Sequence, residues 1–298
     1  MSTLKIAWHE LKSTLRTPSF YFVAALFLFY QGIVFSITVS LRHHPLSPPG
    51  PLLAPFFGGP FWFWPLLILV VVELSHGAIS RERAEGTLDL LLASPVSPQS
   101  VVVGKYLGIV ALFALLWLMT LPMVVLLFLY LPAGVKVAMV PIITGYAGAI
   151  TVGAAGLAMG LLFSSLTRDA RLSGMLTFVV LFLLVLLKIL VNQSYGIITS
   201  PWLINLLSYF NFLDYMETFA RGSVRGVHLS ILLGIIILSV RGAAMIIGHG
   251  QRVHRLWGLL DYGIMFLVVV LVTITMGFGD RTWYPESREI DPRLGERL

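Results

Sequence analysis

RERAEGTLDLLLASPVSPQSVVVGK, residues 81–105, is the most charged and least apolar stretch in the first two-thirds of the chain. It lies between two long apolar runs and decides how they are joined. Glu82, Arg83 and Glu85 close the run before it. Gly86 breaks or bends the helix. Thr87 can cap a new one, with Asp89 favourably placed in its first turn. Leu88, Leu91 and Leu92 then fall at i, i+3, i+4, an apolar stripe on a short helix. Ser94-Pro95 ends that helix. Ser97 caps the next, with Pro98 at its first position, and Gly104-Lys105 follow as an apolar run begins. The spacing predicts helix, kink, short surface helix, turn, helix. Such an element can take a push from a soluble partner, or it can be a mere interfacial linker; spacing alone does not separate the two.

The surrounding chain is mostly hydrocarbon. Of 298 residues, 57% are hydrophobic and 11% charged, where a soluble domain carries about 25% charge. Mean hydropathy is +0.90. This is the composition of an integral membrane protein, with no stretch left over for a soluble domain. Cysteine is absent, which excludes disulfides, thiolate metal sites and a cysteine nucleophile. The net charge is +6. The basic residues sit mostly between apolar runs, as membrane orientation requires, so no nucleic-acid partner is expected.

Runs long enough to cross as helices cover 20–41, 61–80, 106–131, 139–164, 172–191, 227–248 and 257–279. Glu73 lies inside the second, Pro122 inside the third and Arg241 inside the sixth. Lys and Arg are biased toward the segments that share a side with the N-terminus, which predicts an inside N-terminus. With seven spans, the mixed-charge tail from Asp280 is then outside. The first 19 residues lack the apolar core and cleavage site of a signal peptide. Leu4, Trp8, Leu11 and Leu15 instead share one helical face beside Lys5, His9, Lys12 and Arg16, and Pro18 stops the helix. This predicts an amphipathic helix in the inner interface.

The 81–105 stretch resembles the signature of the ABC-2 type membrane subunits of ATP-binding-cassette transporters. The resemblance rests on Glu82-Arg83, Gly86-Thr87-Leu88-Asp89-Leu90-Leu91-Leu92, Ser94-Pro95-Val96-Ser97 and Gly104-Lys105. Asp89 stands where the family usually has Glu. Ala7-Trp8-His9-Glu10-Leu11-Lys12 through Arg16-Thr17-Pro18 is similar to the family's interfacial connecting helix. FLDYMETFARG, 212–222, is similar to the outer re-entrant region of gliding-motility and nitrous-oxide-maturation permeases.

The resemblance implies an all-α, type V exporter-like bundle: an amphipathic connecting helix (1–18), a six-span core (19–248) and an extra C-terminal span with its tail (249–298). The core includes a cytoplasmic coupling helix at 86–94 and an outer re-entrant region at 200–222. It also assigns roles. Glu82, Arg83, Glu85, Gly86, Thr87, Leu88, Asp89, Leu91, Leu92, Pro95 and Lys105 couple to a cytoplasmic ATPase subunit. Trp8, Glu10, Leu11, Lys12 and Arg16 belong to the interfacial helix, which touches the same subunit. A second permease copy or a paralogue pairs with this one, and a further membrane or extracytoplasmic subunit is a possible partner. ATP and magnesium belong to the partner ATPase. No G-x-x-x-x-G-K-[ST] loop occurs in this chain, so neither a cofactor nor catalysis is expected of it.

Other residues carry rival chemistry. Glu73 and His76 lie at i, i+3, a metal-ligand spacing, but a di-iron bundle needs two such pairs. They are read as a gate or pathway contact, or as the polar end of a span. Asp214 and Glu217, one helical turn apart among aromatic residues, could do acid–base work, though no nucleophile accompanies them. Aromatic anchoring of a hairpin is the plainer reading. His43-His44 read as a solvated loop, and Lys188 as a snorkelling side chain. Gly145, Gly148, Gly153, Gly156 and Gly160 predict close helix contact. The expected function is a permease subunit in the bacterial cytoplasmic membrane, N-terminus inside, that couples a separate ATPase to export or to mechanical signalling. The alternatives are a polytopic membrane enzyme acting on lipids and, with no supporting repeat, a secondary transporter.

Overall fold

The computed structural model describes residues 3–41, 51–58, 63–93, 96–130, 137–193, 211–248 and 255–278. His43-His44, Ser94-Pro95, residues 200–210 of the re-entrant region and the polar tail lie outside the described residues, as does the Lys188 side chain. Twelve α-helices are described: α1 Thr3–Leu15, α2 Pro18–Leu41, α3 Phe63–Ser75, α4 Ser80–Glu85, α5 Thr87–Ala93, α6 Pro98–Leu118, α7 Leu121–Tyr130, α8 Met139–Leu166, α9 Ala170–Gln193, α10 Phe212–Ala220, α11 Gly226–Gly248 and α12 Arg255–Phe278. Among the described residues no strand occurs.

Among the described residues, six stretches are long and apolar enough to cross a membrane: Pro18–Ser40, Trp64–Glu85, Pro98–Tyr130, Met139–Leu166, Ala170–Leu187 and Gly226–Gly248. They carry broad belts of exposed Leu, Ile, Val and Phe, the surface a bilayer covers. The bundle is built around α8. This helix has side chains small enough for its neighbours to press onto its backbone, where lipid offers no hydrophobic drive between helices and close packing must hold them. A Cβ on Gly145 would meet Phe57; one on Gly148, Phe219 of α10; one on Gly153, Phe113 of α6; and one on Gly160, Ser75 of α3. Each glycine thus receives a different element.

Two spans are broken, each for a local reason. Pro122 has no N–H to continue the third run, and the chain turns at Met119-Thr120 between α6 and α7. The Thr120 hydroxyl donates to the Trp117 carbonyl at 2.7 Å and lies 2.8 Å from the Tyr146 hydroxyl. The second run breaks at 76–79. There Ser164 Oγ of α8 accepts from the backbone N–H of Ile79 and of Ser80, both at 3.0 Å, and donates to the His76 carbonyl. One buried hydroxyl so satisfies backbone groups that the break exposes.

Far from this end, the loop after α2 folds back in. Its 3₁₀ turn, Pro55–Phe57, buries Phe56 and Phe57 fully. They pack with Phe27, Trp117 and Tyr146 in mostly edge-to-face contacts of 5.0–6.4 Å.

Arg241 neither ends nor shortens the sixth span: α11 runs on to Gly248. Its guanidinium pairs with Asp261 of α12. Farther along, a Cβ on Gly234 would meet Val269, and one on Gly226 would meet Met276. The paired numbers sum to 502 or 503, so α12 runs antiparallel beside nearly the whole of α11. Its apolar stretch Asp261–Met276 is shorter than the six spans.

Candidate functional site

The charged end of the bundle gathers α1, α4, α5 and the start of α6. Ser97 caps α6 as its sequence predicts: its hydroxyl accepts from the Ser100 N–H at 3.2 Å, with Pro98 at the first position. Gly86 has φ of +73°, the left-handed conformation that ends α4 without the cost a side chain adds. Thr87 does not cap the helix it starts. Its hydroxyl donates backward, to the Glu82 carbonyl at 3.2 Å, and closes the end of α4 instead.

The leucine stripe of α5 turns inward. Leu88 is buried, at 3% exposure, and Leu91 and Leu92 are half-buried. Glu85, Gly86, Thr87, Asp89 and Ala93 are exposed. Leu90, at 75% exposure, is the large apolar side chain that α5 offers outward; the stripe rule, which follows the buried face, passed over it.

Glu82, Arg83 and Lys105 all take partners within the bundle. Lys105 Nζ lies 2.7 Å from Glu82 Oε1 on α4 and 3.0 Å from Glu10 Oε2 on α1, with the lysine side chain 3% exposed. An ammonium this buried needs paired carboxylates. Arg83 donates to the Ser165 carbonyl on α8. These three side chains fasten the charged end to the bundle, and α5 projects from the part they hold.

Helix α1 is fastened the same way. On α6, Gly104 and Gly108 form a notch. A Cβ at Gly104 would stand 2.7 Å from Ile6 Cβ, and one at Gly108 would stand 2.8 Å from Glu10 Cβ. Ile6 is the buried residue of α1. The Leu4–Trp8–Leu11–Leu15 stripe is therefore not the docked face: Leu4 and Trp8 are exposed, while Leu11 and Leu15 only border the core. Lys5, Lys12 and Arg16 are exposed beside it.

Between α1, α2, α3 and α4 lies a polar cleft of about 210 Å³. Its lining includes His9, Glu10, Glu73, His76, Arg81 and Lys105. Glu73 and His76 sit on its wall, with Glu73 Oε2 4.0 Å from His76 Nδ1. His76 Nδ1 also lies 3.0–3.1 Å from the Val72 and Glu73 carbonyls, which only accept, so Nδ1 is placed to donate. Among the described residues, no three His, Asp or Glu side chains gather to hold a metal ion.

At the far end, α10 buries Phe212, Tyr215, Met216 and Phe219. Asp214 accepts from Asn211 at 2.5 Å, and Glu217 pairs with Arg221 at 2.5 Å. Each carboxylate thus has a partner at its own end of this packing helix.

Among the described residues, a helical bundle with six helices long and apolar enough to cross a membrane, a short helix on a buried ionic mount and a separate N-terminal helix is the architecture of a multi-pass membrane protein. Residues 52–229, more than half the chain, match the family model described as ABC-2 family transporter protein. The chain belongs to that family, as the permease of an ABC transporter. No curated protein matches it.

Proposed function

We propose that this chain is the membrane subunit through which a separate cassette ATPase drives export, or transmits force, across the bacterial cytoplasmic membrane. In this reading the end carrying α1, α4 and α5 is cytoplasmic, ATP and magnesium stay on the partner, and two permease copies, or this one and a paralogue, complete the path. The chain itself catalyses nothing.

The observation that carries the reading is the mounting of α5. A seven-residue helix exposes Leu90 and Asp89, with Glu85 exposed just before it, yet is held through α4 by Lys105 and Arg83. A push on a loosely hinged loop would be lost in the loop. A push on α5 passes through α4 into the second span and, through Lys105, into α1 and the third. The absence of a phosphate-binding loop from the sequence supports placing ATP elsewhere.

Co-expression with the neighbouring genes, followed by purification in mild detergent and intact-complex mass spectrometry, tests this. A cassette ATPase retained by the unaltered chain and lost from Leu90→Asp is the expected result. Retention unaffected by Leu90→Asp, Asp89→Lys and Glu85→Lys together would remove α5 as the docking element.

A further inference from the structure

The first span carries a polar side chain that its surroundings do not satisfy. Gln31 stands near the middle of α2 and is fully buried. Among the described residues neither its amide nitrogen nor its amide oxygen has a hydrogen-bond partner, and the buried hydroxyl of Tyr30 beside it has none either. Thr38, also buried on α2, instead donates to its own helix at the Val34 carbonyl. An unpaired carboxamide inside a membrane span is costly, and polar groups kept at that depth mark sites of function.

The neighbours of Gln31 are rings. Phe27 and Phe35 lie one turn to either side of it on α2. Phe27 packs on Trp117 and Phe35 on Phe56, and the Phe56 and Trp117 rings lie 6.4 Å apart. The turn of α2 that carries Gln31 therefore borders the seat of the Pro55–Phe57 turn. That seat is shaped for an inserted ring: a Cβ on Gly145 would occupy the space that Phe57 fills, and Phe57 stacks on Trp117 at 6.2 Å. A phenyl ring fills the space but offers an amide no strong donor or acceptor. The fastening of the turn is one-sided as well. Its backbone hydrogen bonds close within residues 51–58, and ring contacts tie it to the helices. Seat and occupant thus match in shape and disagree in polarity.

We propose that this seat binds an uncharged ligand that joins an apolar ring to a hydroxyl or amide group, and that Pro55–Phe57 is the plug that fills the site when the ligand is absent. The ligand ring takes the place of Phe57 beside Trp117 and Gly145, and its polar group pairs with Gln31. Phe27, Gln31, Trp117, Gly145 and Tyr146 bring no charge to the seat, so a charged ligand would lack a counter-ion where it most needs one. The site lies within one copy of the chain and stands or falls apart from the ATPase.

The test uses the full chain in nanodiscs, irradiated with 4-(hydroxymethyl)benzophenone or with benzophenone, the same ring system without the hydroxyl. Modified peptides are mapped by mass spectrometry. The alcohol is expected to label segments 27–35 and 113–117. Gln31→Leu should lower that labelling by about two- to tenfold, the worth of one hydrogen bond, and leave labelling by benzophenone unchanged. Phe57→Leu and the double variant Phe56→Ala, Phe57→Ala should each raise labelling by the alcohol; the milder variant serves if the double one does not fold. Without ligand, Gln31→Leu should melt above the parent. A lower melting temperature overturns the proposal, because a trapped water then already pairs the amide. Equal labelling of the parent and Gln31→Leu by the alcohol overturns the site, and labelling that neither plug variant raises overturns the plug.

Discussion

Lys105 and Glu82, 23 residues apart in sequence, meet at 2.7 Å around an ammonium that is almost wholly buried. Glu10 completes the pair from a third element at 3.0 Å. Replacing Lys105 by Met leaves two carboxylates facing one another. Both keep some solvent, 19% and 32%, so the expected cost is about 1–3 kcal/mol, below that of a fully buried pair. The melting temperature should fall and amide exchange in α1 should quicken. Glu10→Gln should act in the same direction but less, because Glu82 remains. If Lys105→Met leaves exchange in α1 unchanged, the tie is not what holds that helix.

The two faces of α5 separate docking from folding. Leu90→Asp should leave the stability within about 0.5 kcal/mol of the parent, as exposed substitutions do, while removing the ATPase. Leu88→Asp places a carboxylate in a site that is 3% exposed. It should lower yield and stability by several kcal/mol. A role in docking alone, which the resemblance implies for Leu88, would instead leave Leu88→Asp folded and unable to dock. Thermal melts of the two variants side by side decide the matter.

On α8, Gly153→Ala should be costly. The added Cβ would stand 2.1 Å from Phe113 Cε1 and 2.3 Å from its Cζ, and overpacking of this kind costs about 1–3 kcal/mol. Gly263→Ala on α12 is the control. No atom lies within 4 Å of its Cβ position, and replacing a mid-helix glycine by alanine gains up to about 1 kcal/mol. Melts in one detergent should therefore move in opposite directions.

Ser164→Ala removes the acceptor for the Ile79 and Ser80 N–H groups. Buried donors left without partners cost about 1–3 kcal/mol. Exchange at these two amides should rise more than exchange within α8. Ser164→Thr, which keeps the hydroxyl, should restore their protection if the extra methyl fits.

What the sequence makes legible is what repeats or punctuates. Apolar length marks seven runs, and six of them stand among the described residues as stretches long enough to cross. The Ser97-Pro98 start of α6 follows from capping chemistry, and Gly86 follows from its freedom at positive φ. The α8 glycines were readable as contact points, though not as to which neighbour fills each. What stayed hidden are pairings across long separations. Nothing near Lys105 in sequence indicates that residue 10 will share it, or that Ser164 will mend a break at residues 76–79. The face of α1 was misjudged for a related reason. Its apolar stripe is real, but the docked side is chosen by two glycines on another helix, which accept Ile6 because they present no side chain. Leu90 was passed over because a stripe rule finds what is buried, and a docking helix works with what is not.

The notch on α6 also sets an order of events. Glu10 and its buried partner are 95 positions apart. At about 5–20 residues per second, roughly 5 to 20 seconds of synthesis separate the emergence of α1 from that of its seat. Through that interval the first helix is without the notch that later holds Ile6 and Glu10, and the greasy, cationic side it keeps outward is the side suited to waiting on the surface of a bilayer.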